Sequence, residues 1–542
     1  MHSVAGTVAE AFDRSARQYP NHDWLDVLPE TAAAYGIEAR AWRYGEASAS
    51  ILTLRRHYAA AGVVAGQRVG LMLQNRPEFL LHWLALNALG VSIVPLNADW
   101  RAAELEYVIG HSELVAAIGP DNRHDELGSA ARAAGRRIVL GRPEEGLQQA
   151  IRGEDQPAPG AAGADAECAL LYTSGTTGRP KGCILTNEYF LWAGQWYGSI
   201  GGLGEVRPGV ERMLTPLPLT HMNALAYSAM CMMMSGGCLI VLDRFHPSRW
   251  WRAVRESRAS IIHYLGVMPA LLLAAPANAD DRTHCVRFGF GAGVAVQHHA
   301  PFEQRFGFPL LEAWAMTETG AGAVIMANRE PRHVGTACFG RAEANVECRL
   351  VDTDGRDVGL GQTGELLVRH AGPDPRFGFF AGYLKDGAAT DEAWDGGWFH
   401  TGDLVQRDAD GNFRFIDRKK NMIRRSGENI SAVEVESVLA QHPAVAGVGV
   451  CAVPDELRGD EVCALIVARA APAEPRQLAI DIVNFCQARL AYFKAPGYVA
   501  FCEQLPLTAT AKIQRGELKQ LGAQLVGQPD CLDLRAMKKR SA

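Results

Sequence analysis

Lysine is scarce in this sequence of 542 residues: nine of its 54 basic residues are lysines and the other 45 are arginines. No lysine precedes Lys181, so a lysine inside a candidate motif is more informative here than in a lysine-rich chain. The 60 acidic residues outnumber the basic ones, and the net charge of −6 provides no positive field for nucleic acid. A nucleic-acid partner is therefore not expected.

The twelve cysteines include no CxxC pair and no Cys/His cluster at the spacing of a zinc site. We therefore expect reduced, mostly buried thiols in a cytoplasmic protein. The first twenty residues lack the apolar core of a signal peptide. The uncharged run 224–242 is long enough to suggest a membrane span, but Ser235-Gly236-Gly237 divides it. We expect a buried helix, a turn and a short strand there, and no transmembrane span.

The length and the order of helical and strand patterns predict more than one domain. Apolar residues make up 48% of the chain and charged residues 21%, which is typical of a globular protein. Strand 68–73, helix 78–89 and strand 91–96 follow one another, and this order predicts a parallel, doubly wound sheet. Residues 340–418 alternate strands with Asp/Gly turns and predict a small β-barrel-like subdomain. Helices and strands beyond it predict a small α+β domain.

The most informative stretch is 170–187, where an apolar strand (168–172) enters a loop of hydroxyls and glycines. Glycines let backbone N–H groups approach a ligand, and Lys181 adds a positive charge. The loop suits a nucleotide polyphosphate, although its spacing is not that of a Walker loop. The candidate binding residues are Thr173, Ser174, Gly175, Thr176, Thr177, Gly178 and Lys181.

This stretch resembles the signature loop of the AMP-forming adenylating enzymes, the superfamily of acyl-CoA synthetases, luciferases and peptide-synthetase adenylation domains. Residues 183–275 look closest to the carnitine/crotonobetaine-CoA ligase and medium-chain group. The resemblance implies an acid–thiol ligase that uses ATP, Mg²⁺ and coenzyme A and activates a small carboxylic acid as an acyl-adenylate. The alternatives are a stand-alone adenylation enzyme that loads a carrier protein, and a binding protein without catalysis. A homodimer is left open.

A second match to the family, the motif aromatic–Gly–x–Thr–Glu, lies at 314–318. The resemblance implies that Trp314 stacks on adenine, that Thr317 holds the α-phosphate and that Glu318 binds Mg²⁺. Trp314 stands where tyrosine is commoner, and Ala315 stands where the family has glycine. These are two departures from the pattern.

The remaining nucleotide contacts are also implied by the resemblance. The backbone of Gly291 and Ala292 is expected beside the adenine and the acyl group, and Asp403 is expected to accept both ribose hydroxyls. Arg418 is expected to contact ribose or phosphate. Lys512 is expected to be the lysine that acts in adenylation, in a loop where Ala511 replaces the usual glycine.

The resemblance also implies a moving domain and an acyl pocket. The predicted division is a large domain (1–418), a small mobile domain (419–528) hinged at Lys420, and a tail (529–542). Gly427 is expected to border the pantetheine tunnel, and His221 is expected against the acyl pocket. With Lys512, Glu318 and Thr317, His221 completes the set of candidate catalytic residues. The aromatic residues Trp192, Trp196 and Tyr197 either line this pocket or pack in the core. They would form a cation–π box for a quaternary ammonium acid or the wall of a plain apolar pocket.

Overall fold

The computed structural model of the chain describes residues 6–151, 163–173, 180–425, 428–455, 458–508 and 512–538. The α-helices are α1 (Val8–Gln18), α2 (Pro29–Tyr35), α3 (Tyr44–Ala60), α4 (Pro77–Asn87), α5 (Ala102–Ser112), α6 (His124–Ala133), α7 (Asn187–Gly198), α8 (Met230–Ser235), α9 (Trp250–Glu256), α10 (Val267–Ala274), α11 (Val296–Phe306), α12 (Gly387–Ala393), α13 (Ala432–Leu439), α14 (Pro475–Gln487) and α15 (Arg515–Leu525). The strands are β1 (Asp23–Asp26), β2 (Ala41–Arg43), β3 (Arg68–Leu71), β4 (Ser92–Pro95), β5 (Ala116–Ile118), β6 (Val139–Gly141), β7 (Glu167–Thr173), β8 (Lys181–Thr186), β9 (Arg212–Thr215), β10 (Cys238–Val241), β11 (Ile261–Leu265), β12 (Phe288–Ala292), β13 (Leu310–Trp314), β14 (Ile325–Met326), β15 (Cys338–Ala342), β16 (Val346–Val351), β17 (Thr363–His370), β18 (Gly382–Tyr383), β19 (Phe399–Arg407), β20 (Phe413–Arg418), β21 (Ile423–Arg425), β22 (Glu428–Ile430), β23 (Val445–Asp455), β24 (Gly459–Ala468), β25 (Tyr498–Phe501) and β26 (Cys531–Asp533).

The chain falls into two compact units. The large unit comprises Met1–Cys348 and Val368–Phe399, and the small unit comprises Arg349–Leu367 and His400–Ala542. The predicted boundaries at 418/419 and 528/529 remain predictions.

The first sheet of the large unit is parallel through its centre. Its strands follow the order β2, β1, β10, β9, β11, β12, β13, β14, β15, and the five neighbouring pairs from β1/β10 to β12/β13 are parallel. The interior strand β10 is buried along its whole length, as expected for a parallel strand covered on both faces. Strands β11, β12 and β13 end at Leu265, Ala292 and Trp314, so these residues lie at one edge of the sheet. In open α/β sheets this edge is where ligands bind.

The second sheet of the large unit has the order β18, β8, β7, β4, β3, β5, β6. Strands β7, β4, β3, β5 and β6 are parallel, whereas β8 runs antiparallel to β7 and β18 runs antiparallel to β8. The two sheets, with helices between their parallel strands, confirm the predicted α/β class. The barrel-like shape predicted for 340–418 remains a prediction.

The small unit contains a sheet rich in antiparallel pairs, in which β22, β21, β24, β25 and β26 are neighbours and β23 pairs with β24. Residues of β23 alternate between its two faces: Val448, Val450 and Ala452 join one apolar cluster, while Cys451 and Val453 join the other. Strand β26 pairs with β25, so part of the predicted tail belongs to this sheet.

The uncharged run 224–242 forms the predicted helix, turn and strand. A π-helix (Asn223–Ala229) continues into α8, Gly236 has a positive φ of 70°, and β10 follows. Glycine suits that turn because a side chain would be strained at positive φ. Among the described residues, no helix is long and apolar enough to cross a membrane. Nine of the twelve cysteines are buried.

Candidate functional site

The two ends of the predicted phosphate loop face each other in the second sheet. Strand β7 ends at Thr173, β8 begins at Lys181, and these two residues are register partners. The predicted loop residues Ser174, Gly175, Thr176, Thr177 and Gly178 lie outside the described residues. The antiparallel pairing therefore places the charge of Lys181 at the edge of the sheet where β7 ends.

Helix α5 holds both sides of this loop. The hydroxyl of Tyr107 donates to the carbonyl oxygen of Pro180 at 3.0 Å, and the hydroxyl of Tyr172 lies 2.8 Å from Nδ1 of His111. Tyr107 and His111 are four residues apart on α5, and their rings stack with centroids 5.2 Å apart. The sequence analysis missed both residues, although their i, i+4 spacing marks them as neighbours on one helix face.

The motif at 314–318 forms the end of β13 and the turn that follows. Trp314 is the last residue of β13; the residue is 6% exposed, and its ring centroid lies 6.4 Å from that of Phe339. The carbonyl oxygen of Thr317 accepts a hydrogen bond from the hydroxyl of Tyr189 at 2.9 Å. The turn is therefore fixed by a buried tyrosine of α7, while the adenine and phosphate contacts of Trp314 and Thr317 remain predictions.

Glu318 and Lys181 meet at a common tyrosine, Tyr383 of β18. The Tyr383 hydroxyl donates to Oε1 of Glu318 at 3.0 Å, and Nζ of Lys181 lies 4.7 Å from the centre of the Tyr383 ring. The hydroxyl of Thr173 lies 3.5 Å from the same carboxylate oxygen, and Nζ of Lys181 lies 3.9 Å from Asp386. One carboxylate and one ammonium are thus placed together where β7 ends.

A buried carboxylate supports the glycine turn after β12. Glu312 accepts hydrogen bonds from the backbone N–H groups of Gly293 (2.9 Å) and Val294 (3.2 Å), and from the hydroxyl of Tyr264 (2.6 Å). Burial raises the pKa of Glu312, and these donors partly oppose that rise. The sequence analysis missed Glu312 because nothing local shows that it faces this turn.

Gly291 is required by close packing. A Cβ added at this residue would lie 2.2 Å from the carbonyl oxygen of Tyr264 on the neighbouring strand β11. The next residue, Ala292, is exposed at the end of β12. The backbone at this strand end is therefore accessible, as the predicted adenine and acyl contacts require.

The three aromatic residues assigned to the acyl pocket have different surroundings. Tyr197 is fully buried, and the ring of Trp196 lies 5.5 Å from that of Tyr227 and 6.4 Å from that of Phe290. The indole N–H of Trp192 instead donates to the carbonyl oxygen of Ala321 at 2.8 Å. The structure therefore does not bring Trp192 into ring contact with the other two.

A neutral histidine lies behind Tyr197. Nε2 of His263 is 2.8 Å from the Tyr197 hydroxyl, and Nδ1 is 2.7 Å from Oδ1 of Asn223. Because an amide oxygen only accepts, Nδ1 is the donor and Nε2 accepts from the tyrosine. Burial lowers the pKa of His263 to about 3, so the ring is neutral. His221, in contrast, is exposed just before the π-helix.

Within the small unit, Asp403, predicted to contact ribose, and Arg418, predicted to contact ribose or phosphate, are paired across a hairpin. Asp403 of β19 and Arg418 of β20 are register partners, and Nε of Arg418 lies 2.5 Å from a carboxylate oxygen of Asp403. The Asp403 side chain is 2% exposed. The hairpin thus brings together two residues that are 15 positions apart, and their contact with ribose remains a prediction.

Lys512 closes a short loop in the small unit. Its backbone N–H donates to the Thr508 hydroxyl at 3.1 Å, and the Thr508 N–H donates to its carbonyl oxygen at 2.7 Å. The residue as a whole is exposed. Partial burial of the ammonium and the positive charge of Arg418 nevertheless lower the pKa of Lys512. Lys420 lies in a 3₁₀ turn (Lys419–Asn421) after β20, and Gly427 lies outside the described residues.

The residues present fit Mg²⁺ that arrives with a polyphosphate. Among the described residues, no group of three or more His, Cys, Asp or Glu side chains could hold a metal ion by itself. Magnesium is commonly held by one or two carboxylates together with substrate phosphates and water. Glu318 can supply that single carboxylate, and the bound ion would offset phosphate charge.

Two family models match this chain. The model of the AMP-binding enzymes matches residues 12–384, and that of the AMP-binding enzyme C-terminal domain matches residues 434–512. The chain is similar to crotonobetaine/carnitine–CoA ligase of Escherichia coli, with 29% identity over 478 residues, covering 84% of this chain and 89% of the relative. The same enzyme of Salmonella arizonae is 29% identical over 501 residues, with 89% and 94% covered.

Solved structures share the fold. The structure of o-succinylbenzoate CoA synthetase from Bacillus subtilis with its acyl-adenylate intermediate superposes with a TM-score of 0.80 at 24% identity. It covers 95% of this chain and 99% of its own. An anthranilate CoA ligase in complex with anthranoyl-AMP superposes with a TM-score of 0.81 at 21% identity, covering 97% and 99%.

Proposed function

We propose a division of labour among the residues of this chain, which belongs to the family of AMP-binding enzymes and is an ATP-dependent, AMP-forming acyl-CoA ligase. Its substrates are ATP with Mg²⁺, a carboxylic acid and coenzyme A. The single observation that supports the division is the cluster of Lys181, Tyr383 and Glu318 at the end of β7. It supplies an ammonium and a carboxylate beside a loop of hydroxyls and glycines.

The reaction has two steps. A carboxylate oxygen of the acid attacks the α-phosphorus of ATP, a P–O bond forms, and the bond to the β-phosphate oxygen breaks to release pyrophosphate. The CoA thiol, after losing its proton, then attacks the acyl carbon and expels AMP. The difficulty of the first step is that two anions must approach each other, so positioning and charge neutralisation dominate the contribution of the protein.

Each candidate residue has a role in the first step under this proposal. Thr173, Lys181 and the loop between them hold the β- and γ-phosphates, and Glu318 holds Mg²⁺. Thr317 and Lys512 lie at the α-phosphate, where the Lys512 ammonium relieves repulsion between the carboxylate and the phosphate. Trp314, Gly291 and Ala292 contact the adenine, and Asp403 and Arg418 contact the ribose.

The second step requires other groups at the same place, so we propose that residues 419–528 move as a domain about Lys420. Gly427 would then border the path of the pantetheine arm. A cytoplasmic location fits a chain in which nine of the twelve cysteines are buried, as expected of reduced thiols in a reducing compartment.

For the acid, we favour a small-to-medium, uncharged acyl chain. A cation–π box needs open ring faces, but Tyr197 is fully buried and Trp192 is held by Ala321. Trp196, Tyr227 and Phe290 supply apolar surface instead. The names of the relatives support carnitine or crotonobetaine as the second candidate.

A pyrophosphate-release screen over a panel of carboxylic acids, with and without CoA, tests the proposal. We expect release with short and medium straight-chain acids, and a CoA thioester when CoA is present. Faster turnover of crotonobetaine than of an uncharged acid of equal length would favour the second candidate. AMP release that requires an added carrier protein rather than CoA would contradict the acyl-CoA ligase.

A further inference from the structure

Tyr383 contacts both Lys181, which is assigned to the phosphates, and Glu318, which is assigned to Mg²⁺. Its hydroxyl donates to Glu318 and its ring lies under the Lys181 ammonium. Because a carboxylate oxygen accepts and a tyrosine hydroxyl carries one proton to donate, the hydroxyl is the donor in this hydrogen bond. We propose that Tyr383 is a positioning residue that orients the metal-binding carboxylate and the phosphate-binding ammonium together.

The backbone around Tyr383 fixes it for this task. Strand β18 has only two residues, and Tyr383 is the register partner of Cys183, two residues after Lys181. The backbone N–H of Tyr383 donates to the Thr390 hydroxyl at 2.9 Å, and its ring lies 4.8 Å from that of Phe380. The tyrosine therefore has a defined place before any ligand arrives.

The two contacts have separable consequences. The hydroxyl binds one oxygen of Glu318, Oε1, and loss of such an outer hydrogen bond typically weakens metal binding about tenfold or more. The ring attracts the Lys181 ammonium through a cation–π contact, which phenylalanine would retain and leucine would not. The inference rests on the proposed roles of Glu318 and Lys181.

Three variants of the full-length protein test it: Tyr383→Phe, Tyr383→Leu and the control Tyr58→Phe. Tyr58 is also a buried tyrosine with one short hydrogen bond, to His82 at 2.6 Å, but it has no part in the site. ATP binding is measured by calorimetry in EDTA and at increasing Mg²⁺, without any acid. We expect Tyr383→Phe to bind metal-free ATP like the wild type and to need about ten times more Mg²⁺. Tyr383→Leu should also bind metal-free ATP several-fold more weakly.

A second measurement keeps the test independent of folding defects. In a Glu318→Gln background, Tyr383→Phe should change the Mg²⁺ midpoint no further, because the hydroxyl acts through Glu318. An unchanged Mg²⁺ midpoint in Tyr383→Phe, or equal shifts with and without Glu318, would overturn the inference. Absence of pyrophosphate release from the wild type with every acid would instead contradict the proposed function.

Discussion

The small unit buries three charges in one cluster, and the balance of these charges leads to a quantitative prediction. Nε of Arg425 lies 2.9 and 2.8 Å from the two carboxylate oxygens of Glu461, and the Lys538 ammonium donates to one of them. All three side chains are at most 2% exposed. One carboxylate therefore compensates two cations, and Nη2 of Arg425 has no hydrogen-bond partner among the described residues.

Glu461→Gln would leave two buried cations without a counterion. Removing one partner of a buried ion pair typically costs about 3–5 kcal/mol, and we expect the free energy of unfolding of the small unit to fall by that amount. Lys538→Met keeps the pair of Arg425 with Glu461 and removes the surplus cation. Its cost should therefore be at least about 2 kcal/mol smaller than that of Glu461→Gln.

The pH dependence gives a second signature. Burial lowers the pKa of Lys538 from 10.5 to about 8, although the attraction of Glu461 opposes this shift. As the pH rises, the folded state therefore loses this proton at a lower pH than the unfolded chain does. The buried ammonium destabilises the folded state fully below about pH 8, and this destabilisation is relieved between about pH 8 and 10.5. That shift corresponds to about 3 kcal/mol. The wild type should gain up to this amount relative to Lys538→Met as the pH rises through the window.

The assay must report on the small unit alone. All eleven tryptophans lie at or before Trp398, in the large unit, so tryptophan fluorescence does not report on unfolding of the small unit. Cys463 is fully buried in β24, and pulse labelling of its thiol at increasing urea, read by mass spectrometry, measures local unfolding. Equal midpoints for Glu461→Gln and the wild type, or an equal loss in Lys538→Met, would refute the reasoning.

Three further predictions concern catalysis. Lys512→Ala should slow adenylate formation by about 10²–10³-fold but spare thioester formation from supplied acyl-adenylate; equal losses in both steps, measured as pyrophosphate and thioester release, would contradict its role. Because burial and the charge of Arg418 lower the pKa of Lys512, the rate of adenylation should begin to fall at a pH below 10.5, where the ammonium loses its proton. Lys512→Arg should move that fall to higher pH in a pH–rate profile. Tyr107→Phe loses its bond to Pro180 and should weaken Mg-ATP binding about 2–10-fold in calorimetry, whereas affinity equal to that of Tyr58→Phe would show that the contact is not needed.

Much of the fold could be predicted because hydrophobic periodicity is a local signal. The strand expected at 68–73 is β3 (Arg68–Leu71), and the helix expected at 78–89 is α4 (Pro77–Asn87). The run 224–242 is predictable as a helix, a turn and a strand because Ser235-Gly236-Gly237 interrupts its apolar pattern. Residues of the predicted tail take part in the sheet of the small unit, since β26 pairs with β25 and Lys538 is buried against Glu461. The edge strand β26 has three residues, which is too short for a recognisable hydrophobic pattern.

The site was predictable where a motif is contiguous and not where partners are distant in sequence. Glu318 stands in a recognisable motif, but its partner Tyr383 follows 65 residues later and is placed by the pairing of β18 with β8. Glu312 reaches Gly293 and Val294 only because β12 and β13 are neighbours. Such contacts depend on sheet order, which a single sequence does not display.

The central claim is that this chain joins a carboxylic acid to CoA through an acyl-adenylate. The most direct measurement incubates the protein with Mg-ATP, CoA and a panel of acids and quantifies pyrophosphate, AMP and thioester together. The account predicts that at least one acid yields all three in equal amounts, and that without CoA pyrophosphate and a protein-bound acyl-adenylate still form. If no acid yields pyrophosphate, AMP or an adenylate, the claim is contradicted.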